Sequence, residues 1–162
     1  MWNSFTATLQ QLQQQYEKIR ALQDKKRGVL VALDMVGLEA LTAQEELLAT
    51  SVQALEQQRL ALLARIAETT PGVTVQTTME ELALLAPTEA VHRSVLGASR
   101  SLSRIVKETK ERSEANALLM EGLLRAVNRQ LGKIGGAVVD PVYGNTGGEQ
   151  VRHLRKNLDY KA

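Results

Sequence analysis

Apolar residues recur every three or four positions through most of this 162-residue chain. This spacing places them on one face of an α-helix, as in the a and d positions of a coiled coil, and it does not match the two-residue period of a strand. Over residues 1–33 the apolar seam has one gap, at Gln23, and consists of Trp2, Phe5, Leu9, Leu12, Tyr16, Ile19, Lys26, Leu30 and Leu33. The pattern predicts a long first helix over residues 1–33.

A second helix is predicted over residues 35–69. Asp34 interrupts the first seam and is a good N-cap residue, and Pro71-Gly72 ends the second helix. The second seam consists of Leu38, Leu41, Glu45, Leu48, Val52, Leu55, Arg59, Leu62 and Ile66. The first segment carries a net charge of +3 and residues 34–69 carry −4. The two helices, joined at Asp34, are predicted to form an antiparallel hairpin, and their opposite charges support this pairing.

Two further helices follow a loop at residues 70–77. A short one is predicted near 78–85, begun by a capping box of either Thr77 with Glu80 or Thr78 with Glu81. The longest pattern covers residues 88–134, and its seam consists of Val91, Val95, Ala98, Leu102, Ile105, Thr109, Arg112, Asn116, Leu119, Leu123, Val127, Leu131 and Ile134. Its centre, between Thr109 and Asn116, is polar, so we expect looser packing or a kink there.

These elements predict an all-α fold, an elongated antiparallel helical hairpin or coiled-coil bundle with a third long helix. Aromatic residues make up only 3% of the chain, which disfavours an all-β fold. We expect residues 1–134 to form one helical-bundle domain. Residues 135–162, from Gly135-Gly136 onward, are expected to form a flexible tail in which Glu149–Leu158 can form a short basic helix.

The residues needed for catalysis or metal binding are scarce. The chain has no cysteine, and neither His92 nor His153 has a partner at ligand spacing, so both are expected to be solvated. Glu45-Glu46 is interpreted as a solvated face. The glycines near the tail lack the lysine of a phosphate-binding loop. We therefore predict a protein that is not an enzyme and that uses no cofactor and no metal.

Membrane insertion and nucleic-acid binding are also disfavoured. No apolar run approaches the roughly 20 residues of a membrane span, and the net charge is only +2. The basic residues between Arg100 and Arg112 alternate with Glu108 and Glu111, and they have no aromatic residue near them for base stacking. A solvated or internally paired face is the favoured interpretation of that segment.

Two features indicate binding instead. The end of the last predicted helix is densely apolar, and a two-helix hairpin cannot cover all of it, which leaves either a groove for a partner helix or a dimer interface. Tyr143 stands alone in a turn-rich tail, between Pro141 and Gly147-Gly148. It is either folded back on the helices or exposed as a binding anchor.

Specific residues in the second half of the chain resemble the FlgN-type flagellar export chaperones. The segment Asn116-Ala-Leu-Leu-Met-Glu-Gly-Leu-Leu-Arg-Ala-Val-Asn128 is followed by a glycine break and then by Pro-Val-Tyr143-Gly144-Asn-Thr-Gly147. The first half is also similar, through its Leu-x-x-Leu-Asp34 junction and the leucines that follow. Gly37 and the long tail after Val151 depart from the family pattern.

The resemblance implies a cytoplasmic chaperone for type III secretion of the bacterial flagellum. Such proteins bind the carboxy-terminal region of hook–filament junction (hook-associated) proteins and deliver them to the cytoplasmic domain of the export gate. When the family's functional residues are carried across by position, the resemblance assigns Tyr143 and Gly144 to docking on the export gate. The client-binding residues would be Asn116, Leu119, Leu123, Val127 and Leu131. The alternative is a structural coiled-coil protein that acts through homo-oligomerisation.

Overall fold

The fold consists of α-helices, as the sequence predicts. The computed structural model describes residues 1–74 and 76–134, and within these ranges it contains four helices and no strand. The helices are α1 (Trp2–Ala32), α2 (Met35–Thr69), α3 (Met79–Leu84) and α4 (Glu89–Ile134). Each boundary lies within one residue of its prediction, and the internal boundaries lie next to the capping residues Asp34 and Thr78 or the helix breakers Pro71 and Pro87.

The turn between α1 and α2 is closed by backbone hydrogen bonds and a side-chain cap. The amide of Leu33 donates to the carbonyl of Leu30 (3.1 Å), and the amide of Asp34 donates to that of Val29 (2.9 Å). Leu33 adopts a left-handed conformation, φ 55° and ψ 31°, at the position where helices usually carry glycine. The Asp34 carboxylate then accepts from the Gly37 amide at 2.9 Å and begins α2.

The hairpin is antiparallel, and α4 runs parallel to α1. One core is shared by five segments: the start of α1, the end of α2, the loop that follows it, α3 and the start of α4. Its buried members are Phe5, Leu9, Leu62, Leu63, Ile66, Val73, Leu82, Ala83, Val95 and Ala98. Further along, Arg20 of α1 pairs with Glu108 of α4 at 2.6 Å, and Arg112 pairs with Asp24 at 3.3 Å. These contacts align the two helices in the same direction.

Polar residues occupy the middle of the α1–α2 seam. Gln23 is buried, and its amide donates to one oxygen of Glu45 at 2.6 Å. Lys26 donates to the other oxygen, also at 2.6 Å. The interpretation of Glu45 as part of a solvated face is therefore wrong, although Glu46 beside it is exposed. Glu45 faces α1 because it lies on the seam, and the gap in the α1 seam at Gln23 is filled by this hydrogen-bonded layer.

The short helix α3 covers the end of the core. Its capping box is the pair Thr78 and Glu81: the Glu81 amide donates to the Thr78 hydroxyl, and the Thr78 amide donates to the Glu81 carboxylate. His92 in the first turns of α4 lies 2.8 Å, through Nδ1, from the carbonyl oxygen of Ala83. His92 is half-buried, so the prediction that it is solvated is wrong; its ring links α3 to α4.

The polar centre of α4 does not interrupt the helix. Thr109 is buried, and its hydroxyl lies 2.7 Å from the carbonyl of Ile105 and 3.3 Å from that of Tyr16 on α1. The expectation of looser packing there is wrong at Thr109, because the hydroxyl finds acceptors within the packed interface. Met1–Glu114 form one compact unit and a second unit starts at Ala115, so α4 contributes to both.

Candidate functional site

The five predicted client-binding residues all lie on α4, in the unit that starts at Ala115. At 3.6 residues per turn, their steps of three and four place them within an arc of about 120°. They are Asn116, Leu119, Leu123, Val127 and Leu131. Nothing about this arrangement depends on another helix, since it follows from the register of α4 itself.

This face of α4 is only partly covered. Leu119, Leu123 and Leu131 are half-buried, Val127 is 44% exposed, and Ile134 at the end of the helix is 81% exposed. Asn116 is buried and has an interaction partner. Among the described residues after Ile105, no apolar side chain is buried. The apolar face from Leu119 to Ile134, which we call the α4 stripe, therefore offers apolar surface to a partner.

The other side of this part of α4 is charged. Arg125 pairs with Glu121 at 3.5 Å, and Arg129 and Lys133 are exposed. Leu118 also lies away from the stripe and is 67% exposed. A helix with one apolar and one charged face is the form that docks into, or receives, another amphipathic helix.

The first part of α4 differs, although its spacing of residues is the same. Val95, Ala98 and Ile105 are buried there against the rest of the first unit. The apolar seam residues of α4 therefore have two environments, mostly buried up to Ile105 and only partly covered from Leu119 onward. The three- and four-residue spacing is the same in both parts, so it does not predict this difference.

The basic segment between Arg100 and Arg112 forms an internally paired face, as predicted. Arg104 lies 3.6 Å from Glu108, Lys107 4.0 Å from Glu111, and Lys110 3.8 Å from Glu114. Most of these side chains are exposed, so each pair contributes little stability. Sequence reasoning did not find that this segment also borders a groove of about 650 Å³ in the first unit, between α4 and residues of α1, α2 and α3.

Three ionisable groups in the first unit have shifted pKa values. The Arg20 hydrogen bond, followed by the charges of Arg20, Arg104 and Arg112, lowers the pKa of Glu108 against a smaller opposing effect of burial. Hydrogen bonds from the backbone and side chain of Thr78 lower the pKa of Glu81. Burial, and then the nearby charge of Glu56, raises the pKa of Tyr16. Hydrogen bonds are the main cause of the two lowered pKa values, and burial is the main cause of the raised pKa of Tyr16.

No group of three His, Cys, Asp or Glu side chains within residues 1–74 and 76–134 is arranged to hold a metal ion. None of the helices in those ranges is long and apolar enough to cross a membrane. Tyr143 and Gly144 lie outside the described residues, as do the predicted tail and its short basic helix. Their assignments stay predictions.

An all-α chain with a partly uncovered amphipathic helix is typical of proteins that act by binding other proteins. The sequence matches the FlgN protein family over residues 1–150. This chain therefore belongs to the FlgN family, a family of flagellar chaperones rather than enzymes. No curated protein and no solved structure shows a significant match to it.

Proposed function

We propose that this chain is a cytoplasmic export chaperone that binds the carboxy-terminal region of flagellar hook–filament junction proteins and delivers them to the type III export gate. The observation that carries the proposal is the α4 stripe, in which Leu119, Leu123 and Leu131 are half-buried and Val127 is 44% exposed. Membership of the FlgN family supports a flagellar protein as the client.

The stripe suits a client that must be held and then released. An unassembled junction protein has a helix-prone segment whose apolar face needs a temporary partner, and the stripe offers a matching helix. Leucines that are already half-covered add a moderate apolar area on binding, which favours a reversible complex. Such binding needs neither nucleotide nor metal.

Delivery is assigned to the tail by the family resemblance. Pro141 restricts the backbone before Tyr143, and Gly144 permits a positive φ after it. Gly135-Gly136 and Gly147-Gly148 flank this segment in the sequence, and glycine pairs disfavour regular helix. We propose that Tyr143 and Gly144 dock on the cytoplasmic domain of the gate while α4 holds the client.

Leu123→Asp tests the client site. A charge on the stripe should weaken binding of a purified junction protein at least tenfold, because the contact loses apolar area and must also desolvate a carboxylate. Leu119→Asp should act in the same direction. Leu118→Asp is the matched control: it lies on the same helix about 140° from Leu123 and is 67% exposed. Calorimetry on all three variants, with circular dichroism to verify helicity, makes the comparison.

Normal binding by both stripe variants would move the client site elsewhere. Equal losses in Leu118→Asp and Leu123→Asp would show a general charge effect. Loss of helicity in the stripe variants alone would show that these leucines stabilise the fold. Light scattering tests the alternative: a stable dimer disrupted by Leu123→Asp would favour a homo-oligomeric structural protein.

The docking role is tested separately with Tyr143→Ala. We expect client affinity and helicity to stay unchanged, while binding to the gate domain weakens about 5- to 150-fold, the effect of a 1–3 kcal/mol hot spot. Secretion of the client should fall in the same variant. Intact gate binding with a lowered melting temperature would assign Tyr143 to packing instead.

A further inference from the structure

A second interaction surface lies entirely within the first unit, apart from the α4 stripe. A groove of about 650 Å³ opens between α4 and residues of the other three helices. Its apolar part is formed by Leu9 of α1, Met79 of α3 and Leu102 of α4. Leu9 is buried at the base of the groove, whereas Met79 and Leu102 are half-buried and offer apolar surface to an incoming side chain.

Basic side chains line the groove along α4. Arg100, Arg104 and Lys107 follow at i, i+4 and i+7, which places them on one face over about 10 Å of helix. Arg59 of α2 also lines the groove, but Glu56 already binds it at 2.8 Å. Glu80 of α3 is the other acidic residue in the lining. The four basic and two acidic groups leave the groove with a net charge of +2.

The positive charge of the row is available to a partner. Arg100 makes no ion pair with any described residue. Arg104 and Lys107 are exposed and lie 3.6 and 4.0 Å from their partners Glu108 and Glu111, and such surface pairs contribute about 0–1 kcal/mol each. Glu108 is held at 2.6 Å by Arg20, so its charge is directed mainly to α1.

We propose that this basic groove binds an acidic amphipathic helix of a partner protein. Carboxylates two helical turns apart on such a helix match Arg100 and Lys107, and its apolar side chains contact Met79 and Leu102. Glu80 disfavours a partner carboxylate placed against α3, so the groove selects a spacing of charges as well as their sign. The groove and the α4 stripe have no residue in common, so this proposal does not depend on the client site.

Two other occupants fit the groove less well. Nucleic acid would meet two carboxylates, and the lining contains no aromatic ring for base stacking. A second copy of this chain would have to insert its acidic helix, α2, into the groove. That contact joins two different surfaces and propagates into open chains unless a rotation closes it.

The probe is a fluorescein-labelled synthetic helix of about 18 residues, with Glu at i, i+4 and i+7 beside a leucine stripe. This length exceeds the roughly 12–15 residues below which isolated helices are marginal in water, and circular dichroism of the free peptide verifies its helicity. Anisotropy titrations of the full chain near physiological salt should give saturable binding. Arg100→Glu/Lys107→Glu should weaken it at least tenfold, and so should replacing the peptide's Glu residues with Lys.

The matched control is Arg93→Glu/Lys110→Glu, which changes the net charge equally on the same helix. Arg93 and Lys110 are exposed, form i,i+4 pairs and do not line the groove. Their reversal should weaken binding much less than reversal of Arg100 and Lys107 does, because neither side chain lines the groove. If the Glu variant loses helicity, Arg100→Gln/Lys107→Gln replaces it, with a loss of at least threefold expected.

Equal losses in the groove and control variants would overturn the proposal, as would unchanged binding in the groove variant. Displacement of the peptide by a single-stranded oligonucleotide at lower concentration would assign the groove to nucleic acid. Self-association that Arg100→Glu/Lys107→Glu abolishes and Glu39→Arg/Glu46→Arg restores would assign it to a second copy. Each of these outcomes excludes an acidic helix of a different protein as the occupant of the groove.

Discussion

The ammonium group of Lys26 and the carboxylate of Glu45 lie 2.6 Å apart at the α1–α2 interface, where a coiled-coil seam ordinarily carries apolar side chains. The second carboxylate oxygen of Glu45 accepts from Gln23. One acidic residue of α2 therefore binds two successive seam positions of α1. A polar layer of this kind favours one register of the hairpin, because sliding either helix separates the charges.

The pair predicts coupled effects on stability. Lys26→Met leaves a half-buried carboxylate without its cation and should lower the free energy of unfolding by about 1–3 kcal/mol. Glu45→Gln removes the charge while keeping an acceptor for Gln23. We expect the double variant to be less destabilised than the sum of the single variants by about 0.5–3 kcal/mol. Urea unfolding of the four proteins measures this coupling, and additive effects would show that the pair is energetically unimportant.

Two helical glycines should respond in opposite ways to alanine. Gly28 has nothing within 4 Å of the position that a Cβ would take, so Gly28→Ala should stabilise α1 by about 1 kcal/mol. A Cβ at Gly37 would collide with the Asp34 carboxylate and lie 3.0 Å from Cγ1 of Val29. Gly37→Ala should therefore bring no gain, or a loss of about 1 kcal/mol through the cap. Thermal unfolding compares them, and equal stabilisation would contradict the role of Gly37 beside the cap.

Leu33 ends α1 in the left-handed region at φ 55°, a conformation that costs a side-chain-bearing residue about 1–2 kcal/mol. Its side chain is 60% exposed, so little packing is lost on removal. Leu33→Gly should raise the free energy of unfolding by about 0.5–1 kcal/mol. This gain is smaller than the relieved strain because glycine also increases the entropy of the unfolded chain. Leu33→Ala keeps the strain and is the control. If Leu33→Ala raises the free energy of unfolding as much as Leu33→Gly does, the exposed leucine side chain, and not the left-handed backbone, destabilises the wild type.

The Arg20–Glu108 pair predicts acid sensitivity. The hydrogen bond and charge of Arg20 lower the pKa of Glu108 in the folded state. A carboxyl group with a lowered folded pKa stabilises the fold above its unfolded pKa of about 4.3 and loses that contribution as pH falls through the folded pKa. The stability difference between wild type and Glu108→Gln should therefore be larger near pH 7 than near pH 3. A constant difference across that range would show that Arg20 does not hold the carboxylate in its charged form.

Local signals explain why the helices were predictable. Asp34 and Thr78 are capping residues, and Pro71 and Pro87 break helices, so the sequence bounds each element without reference to its neighbours. The Thr78–Glu81 capping box needed the structure, since Thr77 with Glu80 has the same spacing. Gly37 departs from the family pattern, and the structure explains the glycine by the closeness of the Asp34 carboxylate.

The candidate site was predictable only in part. The register of α4 places Leu119, Leu123 and Val127 on one face, and this follows from their spacing alone. Their exposure does not, because burial depends on which segments, distant in sequence, pack against each turn of the helix. The basic groove was also missed, since its lining comes from four helices.

The sequence by itself determined the all-α class, the helix boundaries and, through residues 116–147, the FlgN resemblance, because these depend on neighbours within a few positions along the chain. Only the tertiary structure decided that Glu45 and His92 face inward, that no apolar residue of the α4 seam is buried after Ile105 among the described residues, and that Arg100 and Lys107 border a groove. Burial and pairing of that kind depend on contacts between residues up to 93 positions apart, as between Thr109 and Tyr16. The period of a helix specifies which side chains share a face, but not what covers that face.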